Sequence, residues 1–206
     1  MKQTMQLLHT WQEDPELLRV HTMEPRQRCG LACLHMVIEY MLGQLVDADE
    51  IFRRAESYEA INDHNDWWHP GQVRVLQSYG ITAWRRNWTA PNNDPSYFAS
   101  HEGYSPEQMQ AVTTQMEDEQ RYRALSERFS HSVNTALLHG TPVIVSVKSD
   151  FSHNKENHQV VVAGFDSETR VYSVYDPVMQ AGPSAVSEVY LLEYVNYWAI
   201  FISPRG

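Results

Sequence analysis

The sequence predicts an α+β fold in which a helical N-terminal part is followed by a C-terminal antiparallel sheet. Three observations lead to this prediction. Before residue 140, apolar residues recur at helical spacing between capping residues. After residue 140, β-branched residues are concentrated in short runs. Two of these runs flank the four-residue turn Asp166-Ser167-Glu168-Thr169, which is typical of a β-hairpin.

The first predicted helix is apolar on nearly all sides. It covers residues 31–42, where His35 and Glu39 are the only strongly polar residues. These two lie four positions apart and therefore share one narrow stripe. Gly43 is a typical helix stop. A helix of this composition is expected to be buried.

Two shorter helices are predicted next. One begins at Asp47, and Glu50 stands three positions later, as in a capping box. The other covers residues 71–79, between Pro70 and Gly80.

The middle of the chain is less regular. Residues 87–104 are rich in Asn, Pro, Asp and Ser and predict a long loop. Ser105 begins a predicted helix whose apolar stripe reaches Phe129, and a separate short helix is predicted from Ser132 to His139. We interpret residues 87–129 as an insertion into the domain.

The strands follow, and no linker or internal repeat divides the chain. The predicted strands are residues 143–147, 158–165, 170–175 and 197–202. We therefore expect a single domain over residues 1–206, helical over about 24–139 and β-rich over about 140–206.

The net charge and the hydropathy of the chain exclude some classes of function. The net charge is −10 with only 16 Lys and Arg, whereas nucleic-acid binding needs clustered cations, so no nucleic-acid partner is expected. No apolar stretch reaches the length of a membrane span and no secretory signal is visible, so we expect a cytoplasmic protein without a membrane partner. The sequence leaves the oligomeric state open.

Three residues have the chemistry of a cysteine enzyme. Cys29 lies where a loop meets the start of the buried helix, and the exposed N–H groups and the dipole there favour a thiolate. A thiolate nucleophile needs an imidazole, and His158 opens a strand in the β-rich part. Asp176 ends the paired strand before Pro177, so it is the candidate for orienting that imidazole.

For each of the three assigned residues, the sequence contains a second candidate of the same type. Cys33 lies one turn after Cys29 and is interpreted as a core residue. His153 is a rival base, but its polar surroundings favour a solvated role. Asp166 is a rival carboxylate, although its turn position favours ordinary turn capping.

Residues 63–69 contain a polar and aromatic cluster. It includes metal-ligating types without regular ligand spacing, so we expect neither a metal nor a cofactor. Trp67 and Trp68 are interpreted equally as substrate-cleft or core residues.

These residues occur in an order that resembles a known family. The matching segments are Cys29-Gly30-Leu31-Ala32-Cys33-Leu34, Gly140-Thr141-Pro142-Val143-Ile144-Val145, His158 ahead of Val160-Val161-Val162-Ala163-Gly164-Phe165-Asp166, and Asp176-Pro177. The chain resembles the papain-like cysteine peptidases, in particular the bacteriocin leader-peptidase-like family. It is also similar to the related guanylyl-cyclase-domain proteins, in which a Trp-containing helix follows the first motif. The resemblance implies a papain-like fold with a Cys29-His158-Asp176 triad.

The chain departs from the family pattern at two positions. Arg28 stands where the family usually has Asp, and Met23 stands where it usually has an oxyanion-binding Gln. Gln27, together with the Cys29 N–H, is the substitute that we consider for the oxyanion hole.

Several functions remain open at this stage. The first is a peptidase or amidohydrolase that forms an acyl-enzyme on Cys29 from a peptide or acyl substrate, including one attached to a carrier. The second is an acyltransferase that resolves a thioester or ester donor with an amine. The third is a catalytically inactive binding module on the same scaffold. Nucleotide cyclisation is disfavoured, because no phosphate loop or metal-binding carboxylate pair is evident.

Overall fold

A computed structural model describes residues 2–10, 28–62, 66–88, 119–148 and 157–204, with the backbone alone for residues 119–125. Its helices are α1 (Cys29–Leu42), α2 (Ala48–Ser57), α3 (His69–Ser78), α4 (Glu119–Leu138) and α5 (Glu188–Tyr194). Its strands are β1 (Lys2–Thr4), β2 (Ala83–Asn87), β3 (Val143–Lys148), β4 (Asn157–Asp166), β5 (Val171–Tyr175), β6 (Ser184–Ser187) and β7 (Val195–Ile202).

The strands form one antiparallel sheet in the order β2-β7-β3-β4-β5-β6. β1 pairs with the end of β4, where Lys2 lies opposite Asp166. α1 packs against β4, and α4 packs against β3, β4 and β7. The predicted α+β architecture, with a buried helix and an antiparallel sheet, is confirmed.

The buried helix forms for the reasons that the sequence indicates. Twelve of its fourteen residues are buried, including His35 and Glu39. The helix ends at Gly43, whose φ of 68° is the left-handed conformation that glycine adopts most easily. Nε2–H of His35 donates to the carbonyl of Val46 at 2.8 Å, and Nδ1 is hydrogen bonded to the Thr10 hydroxyl at 2.8 Å. The two polar residues of the helix are therefore structural.

The start of α2 differs from the predicted capping box in one contact. The Asp47 carboxylate accepts from the N–H of Asp49 at 3.0 Å, as an N-cap should. Glu50 does not complete the box, because its carboxylate accepts from Arg54 one turn later. An ion pair at spacing i, i+4 has replaced the second capping bond.

α4 corrects the prediction of two helices. Within the described residues, one continuous helix spans the expected break before Ser132. Phe129, Val133 and Leu137 lie on one buried face of this helix. Because these residues recur every four positions with no Gly or Pro between them, packing on the sheet continues the helix through the break. The predicted helix start at Ser105 lies outside the described residues.

Three strands and one helix were not predicted. β1, β2 and β6 are short and carry polar or charged residues, and α5 has only seven residues. β2 obtains its partner from the far end of the chain, since Ala83 lies opposite Ile202. Local periodicity is weak in such segments, and long-range pairing determines their structure. Among the described residues, no helix is both long and apolar enough to cross a membrane.

Candidate active site

Cys29 is the first residue of α1. Its predecessor Arg28 is the N-cap residue, and the Arg28 carbonyl accepts the first helical bond from Ala32 at 2.9 Å. The Arg28 side chain makes no capping bond, and no acidic residue lies in the first turn. The first N–H groups of a helix have no acceptor within it, so they and the dipole favour a negative sulfur here. Cys29 is 5% exposed.

Trp67 packs against this helix start. A Cβ added at Gly30 would lie 2.3 Å from the indole Cγ, so only glycine allows the ring to approach this closely. Trp67 is half-buried and lies in an isolated β-bridge with Ile61. The ring therefore packs on the first turn of α1 at Gly30, the residue that follows Cys29. Trp68 is oriented differently, with its ring 5.1 Å from the Arg74 guanidinium carbon.

His158 is the second residue of β4 and lies opposite Val147 of β3. It is buried, and its Nε2–H donates to Asp176 Oδ1 at 2.7 Å. Its ring also lies near enough to Cys29 for that side chain to raise the pKa of the imidazole. Because Nε2 is directed at the carboxylate, Nδ1 is the ring nitrogen left to interact with the sulfur. The structure thus brings the three predicted site residues together through one imidazole.

Asp176 follows β5 and is held by its own turn. Its Oδ1 also accepts from the N–H of Val178 at 3.0 Å, and its carbonyl accepts from the N–H of Met179 at 3.0 Å. Tyr175 lies opposite Val161, so antiparallel pairing brings the next residue towards the start of β4. The register of the hairpin formed by β4 and β5 therefore explains why Asp176 lies next to His158.

The surroundings of His158 favour its charged form. Burial of the ring lowers its pKa, but hydrogen bonding to Asp176 and the interaction with Cys29, together with the negative charges of both, outweigh burial and raise the pKa of His158 to about 10. An imidazolium between a carboxylate and a sulfur is the arrangement that stabilises a thiolate.

The surroundings of Cys33 favour the neutral form of its thiol. It is completely buried, and burial, followed by the charges of Cys29 and Asp176, raises the pKa of its thiol well above the usual value. It stays a neutral core residue, as the sequence predicts.

A buried polar network that the sequence does not predict lies next to His158. Gln159 and Gln72 exchange two amide hydrogen bonds, of 2.8 and 2.9 Å, and Gln159 also donates to His69 Nε2 at 3.3 Å. His69 is hydrogen bonded to the Ser146 hydroxyl at 2.8 Å. Burial, followed by the charge of Arg85, lowers the pKa of His69 to about 3, so the ring is neutral. The network joins α3 to the end of β4 that carries His158, and it holds the neighbouring residue Gln159 in place.

Of the remaining predicted residues, Asp166 lies at the turn between β4 and β5. Asp166 caps its turn by accepting from the N–H of Glu168 at 3.1 Å. His153, Met23 and Gln27 lie outside the described residues, as do residues 63–65 of the polar cluster. Within the described part of the chain, no three His, Cys, Asp or Glu residues are grouped as metal ligands would be.

Solved structures show where this fold occurs. The chain is similar to a double glycine motif protease from an AMS/PCAT transporter, solved with the leader peptide (13% identity, TM-score 0.54, covering 100% of this chain and 99% of that one). It is similar to a C39-like peptidase from Bacillus anthracis (15%, TM-score 0.55, 100% and 99%). It is also similar to xylellain, a cysteine protease from Xylella fastidiosa (12%, TM-score 0.50, 100% and 86%). These likenesses confirm the papain-like fold.

Comparison of the sequence with models of protein families identifies the family of this chain. A search of curated protein sequences returns no match to this chain. The model of the Peptidase_C39 like family matches residues 8–203, which include all the segments that carried the resemblance. The chain therefore belongs to the Peptidase_C39 like family of papain-like cysteine peptidases.

Proposed function

We propose that this protein is a cysteine peptidase that cleaves a peptide bond through a thioester on Cys29. One observation carries the proposal: the buried His158 ring is hydrogen bonded to Asp176 at 2.7 Å and interacts with Cys29, which raises its pKa. An inactive binding module has no need of a buried imidazole between a thiol and a carboxylate. Membership of a cysteine-peptidase family supports the same function.

The proposed reaction has two steps. The Cys29 sulfur attacks the substrate carbonyl carbon, and protonated His158 gives its proton to the leaving amine as the C–N bond breaks. A water molecule then attacks the thioester while His158 accepts one of its protons, and the sulfur leaves as a thiolate. Asp176 keeps Nε2 protonated, so that Nδ1 carries out both proton transfers.

The negative oxygen formed in each step needs hydrogen-bond donors. We assign the backbone N–H of Cys29 as one donor, because it lies at the unpaired start of α1. Gln27 remains our proposal for a second donor, by its position in the sequence.

The substrate that we propose is a peptide with an N-terminal leader segment. The similar AMS/PCAT transporter protease was solved in complex with a leader peptide. In this chain, Trp67 forms one wall of the site through its contact with Gly30, and we assign it to the substrate cleft. Trp68 is a weaker candidate, because it packs on Arg74. The single domain over residues 1–206 and the cytoplasmic location remain predictions.

Peptide digestion in oxygen-18 water tests the proposal. A proteome-derived peptide library treated with the protein should give new C-termini that carry one heavy oxygen atom, because water resolves the thioester. The same library treated with Cys29→Ala should give none. New C-termini that carry an added amine in place of the heavy oxygen would identify an acyltransferase. An unchanged library, digested under conditions in which the protein is folded, would contradict catalysis.

Asp176→Asn is expected to be partly active. The amide keeps the shape of the side chain but loses the negative charge that raises the pKa of His158. We expect kcat to fall by about 10–100-fold and the alkaline limit of activity to move to lower pH. The check is a set of pH–rate profiles for wild type and variant. Asp166→Asn is the matched control, and its pH–rate profile should be that of wild type. If Asp166→Asn loses activity and Asp176→Asn does not, Asp176 is the wrong carboxylate.

A further inference from the structure

A second concave site lies away from Cys29. It is a cavity of about 340 Å³ between α4 and the edge strand β2. Thr141 lies in the cavity wall and precedes β3 at the end where Val143 pairs with Val162. His158 lies near the other end of β3, where it pairs with Val147. The four residues from 143 to 147 separate the two ends by about 13 Å. The cavity is therefore separate from the proposed catalytic centre.

One side of the cavity offers a flat aromatic surface. Trp84 and Phe201 are opposite each other on β2 and β7, and their rings are stacked at 5.8 Å with an interplanar angle of 20°. Trp84 is 47% exposed, although it is the largest side chain of its strand. An exposed tryptophan supported by a second ring is a typical surface for a planar apolar group.

The polar side of the cavity is basic. Arg86 lies two residues after Trp84, so both side chains are on the same face of β2. His131 and His139 line the cavity from α4, together with Thr135 between them. None of the described lining residues is Asp or Glu, although the whole chain has a net charge of −10. The cavity therefore favours a negative group in a protein whose surface generally repels one.

We propose that this cavity binds a planar or apolar molecule that carries a carboxylate, with its apolar body on Trp84 and its carboxylate at Arg86. Arginine is the suitable partner, because its planar guanidinium can give two parallel hydrogen bonds to a carboxylate. The proposal does not depend on the peptidase function.

Three naphthalene probes of equal shape test the charge preference. They are 2-naphthoate, neutral 2-naphthylmethanol and cationic 2-naphthylmethylammonium, titrated into the whole protein and followed by the indole N–H signal of Trp84 in NMR spectra. We expect 2-naphthoate to bind with a Kd of about 1 mM, the alcohol more weakly and the cation not at all. Equal binding of all three, or no binding of 2-naphthoate up to about 10 mM, would overturn the proposal.

Substitutions test which residues of the cavity bind the naphthalene probes. Arg86→Gln should weaken 2-naphthoate about tenfold and leave the alcohol unchanged, whereas Trp84→Ala should weaken both. Arg53→Gln removes a charge from the exposed face of α2 and is the matched control, with no expected effect. Cys29→Ala should bind like wild type, which separates this site from the proposed active site. If Arg86→Gln binds 2-naphthoate as well as wild type does, the carboxylate is not held as proposed.

Discussion

Cys29→Ala is expected to reduce peptide cleavage to the uncatalysed background, a fall of about 10⁴-fold or more. The variant lacks the sulfur atom that we propose forms the thioester, and the remaining imidazole has no nucleophile to pair with. The fold should persist, because Cys29 begins its helix without a side-chain cap and contributes only a small side chain. The measurement is kcat on the best substrate of the peptide library, with circular dichroism to confirm folding.

Cys33→Ala is the matched control for this prediction. Cys33 lies one turn later on the same helix, is completely buried and keeps its proton. Its replacement should cost about 1 kcal/mol of stability and leave kcat close to wild type. In the wild type, iodoacetamide near neutral pH should modify Cys29 much faster than Cys33. A fully active Cys29→Ala variant would end the assignment of the nucleophile.

His158→Gln is expected to lower kcat by about 10²–10⁴-fold. The glutamine amide can occupy the space of the ring, but it can neither protonate the leaving amine nor stabilise the Cys29 thiolate. The loss should be smaller than that of Cys29→Ala, because an unassisted thiolate can still attack. Pre-steady-state kinetics should show that both formation and hydrolysis of the thioester are slowed, because His158 transfers a proton in each step.

The pH dependence of the wild type gives an independent readout. The pKa of His158 is raised to about 10, so its proton is retained through neutral pH and lost only as the pH rises through that value. Activity should therefore persist into alkaline solution and fall near pH 10, where the leaving amine no longer receives a proton. An alkaline limit near the ordinary histidine pKa of about 6.5 would contradict the described site.

His35→Gln compares a structural histidine with His158, the proposed catalytic one. His35 is also buried and lies 3.4 Å from a carboxylate, that of Glu39, but its two nitrogens bind Thr10 and Val46. We expect this variant to lose stability and to keep the pH–rate profile of the wild type. If both histidine variants lose stability and activity in parallel, the effect at His158 is structural.

Much of this molecule could be predicted from local patterns. Composition and Gly43 predicted the buried helix, and the turn after Asp166 predicted the hairpin of β4 and β5. The predicted positions of Cys29 at a helix start and His158 at a strand start agree with the structure. These features depend on residues a few positions apart, which is the range over which capping and alternation act.

The elements that were missed depend on distant partners. β1 is recognisable only by its pairing with β4, and the adjoining N-terminal segment is held when the N–H of Leu7 donates to the Tyr175 hydroxyl at 3.2 Å. The continuity of α4 depends on the sheet beneath it. The short strands have no strong pattern of their own, so their structure comes from pairing with residues far along the chain.

The sequence by itself therefore determined the family, the α+β order and the three residues with suitable chemistry, because each is marked by local residue types. Only the tertiary structure decided that one imidazole meets both Cys29 and Asp176, that Trp67 covers Gly30, and that Gln159 is held by Gln72. These contacts join segments that are tens of residues apart. Their geometry depends on sheet register and helix packing, which hydrophobic periodicity does not specify.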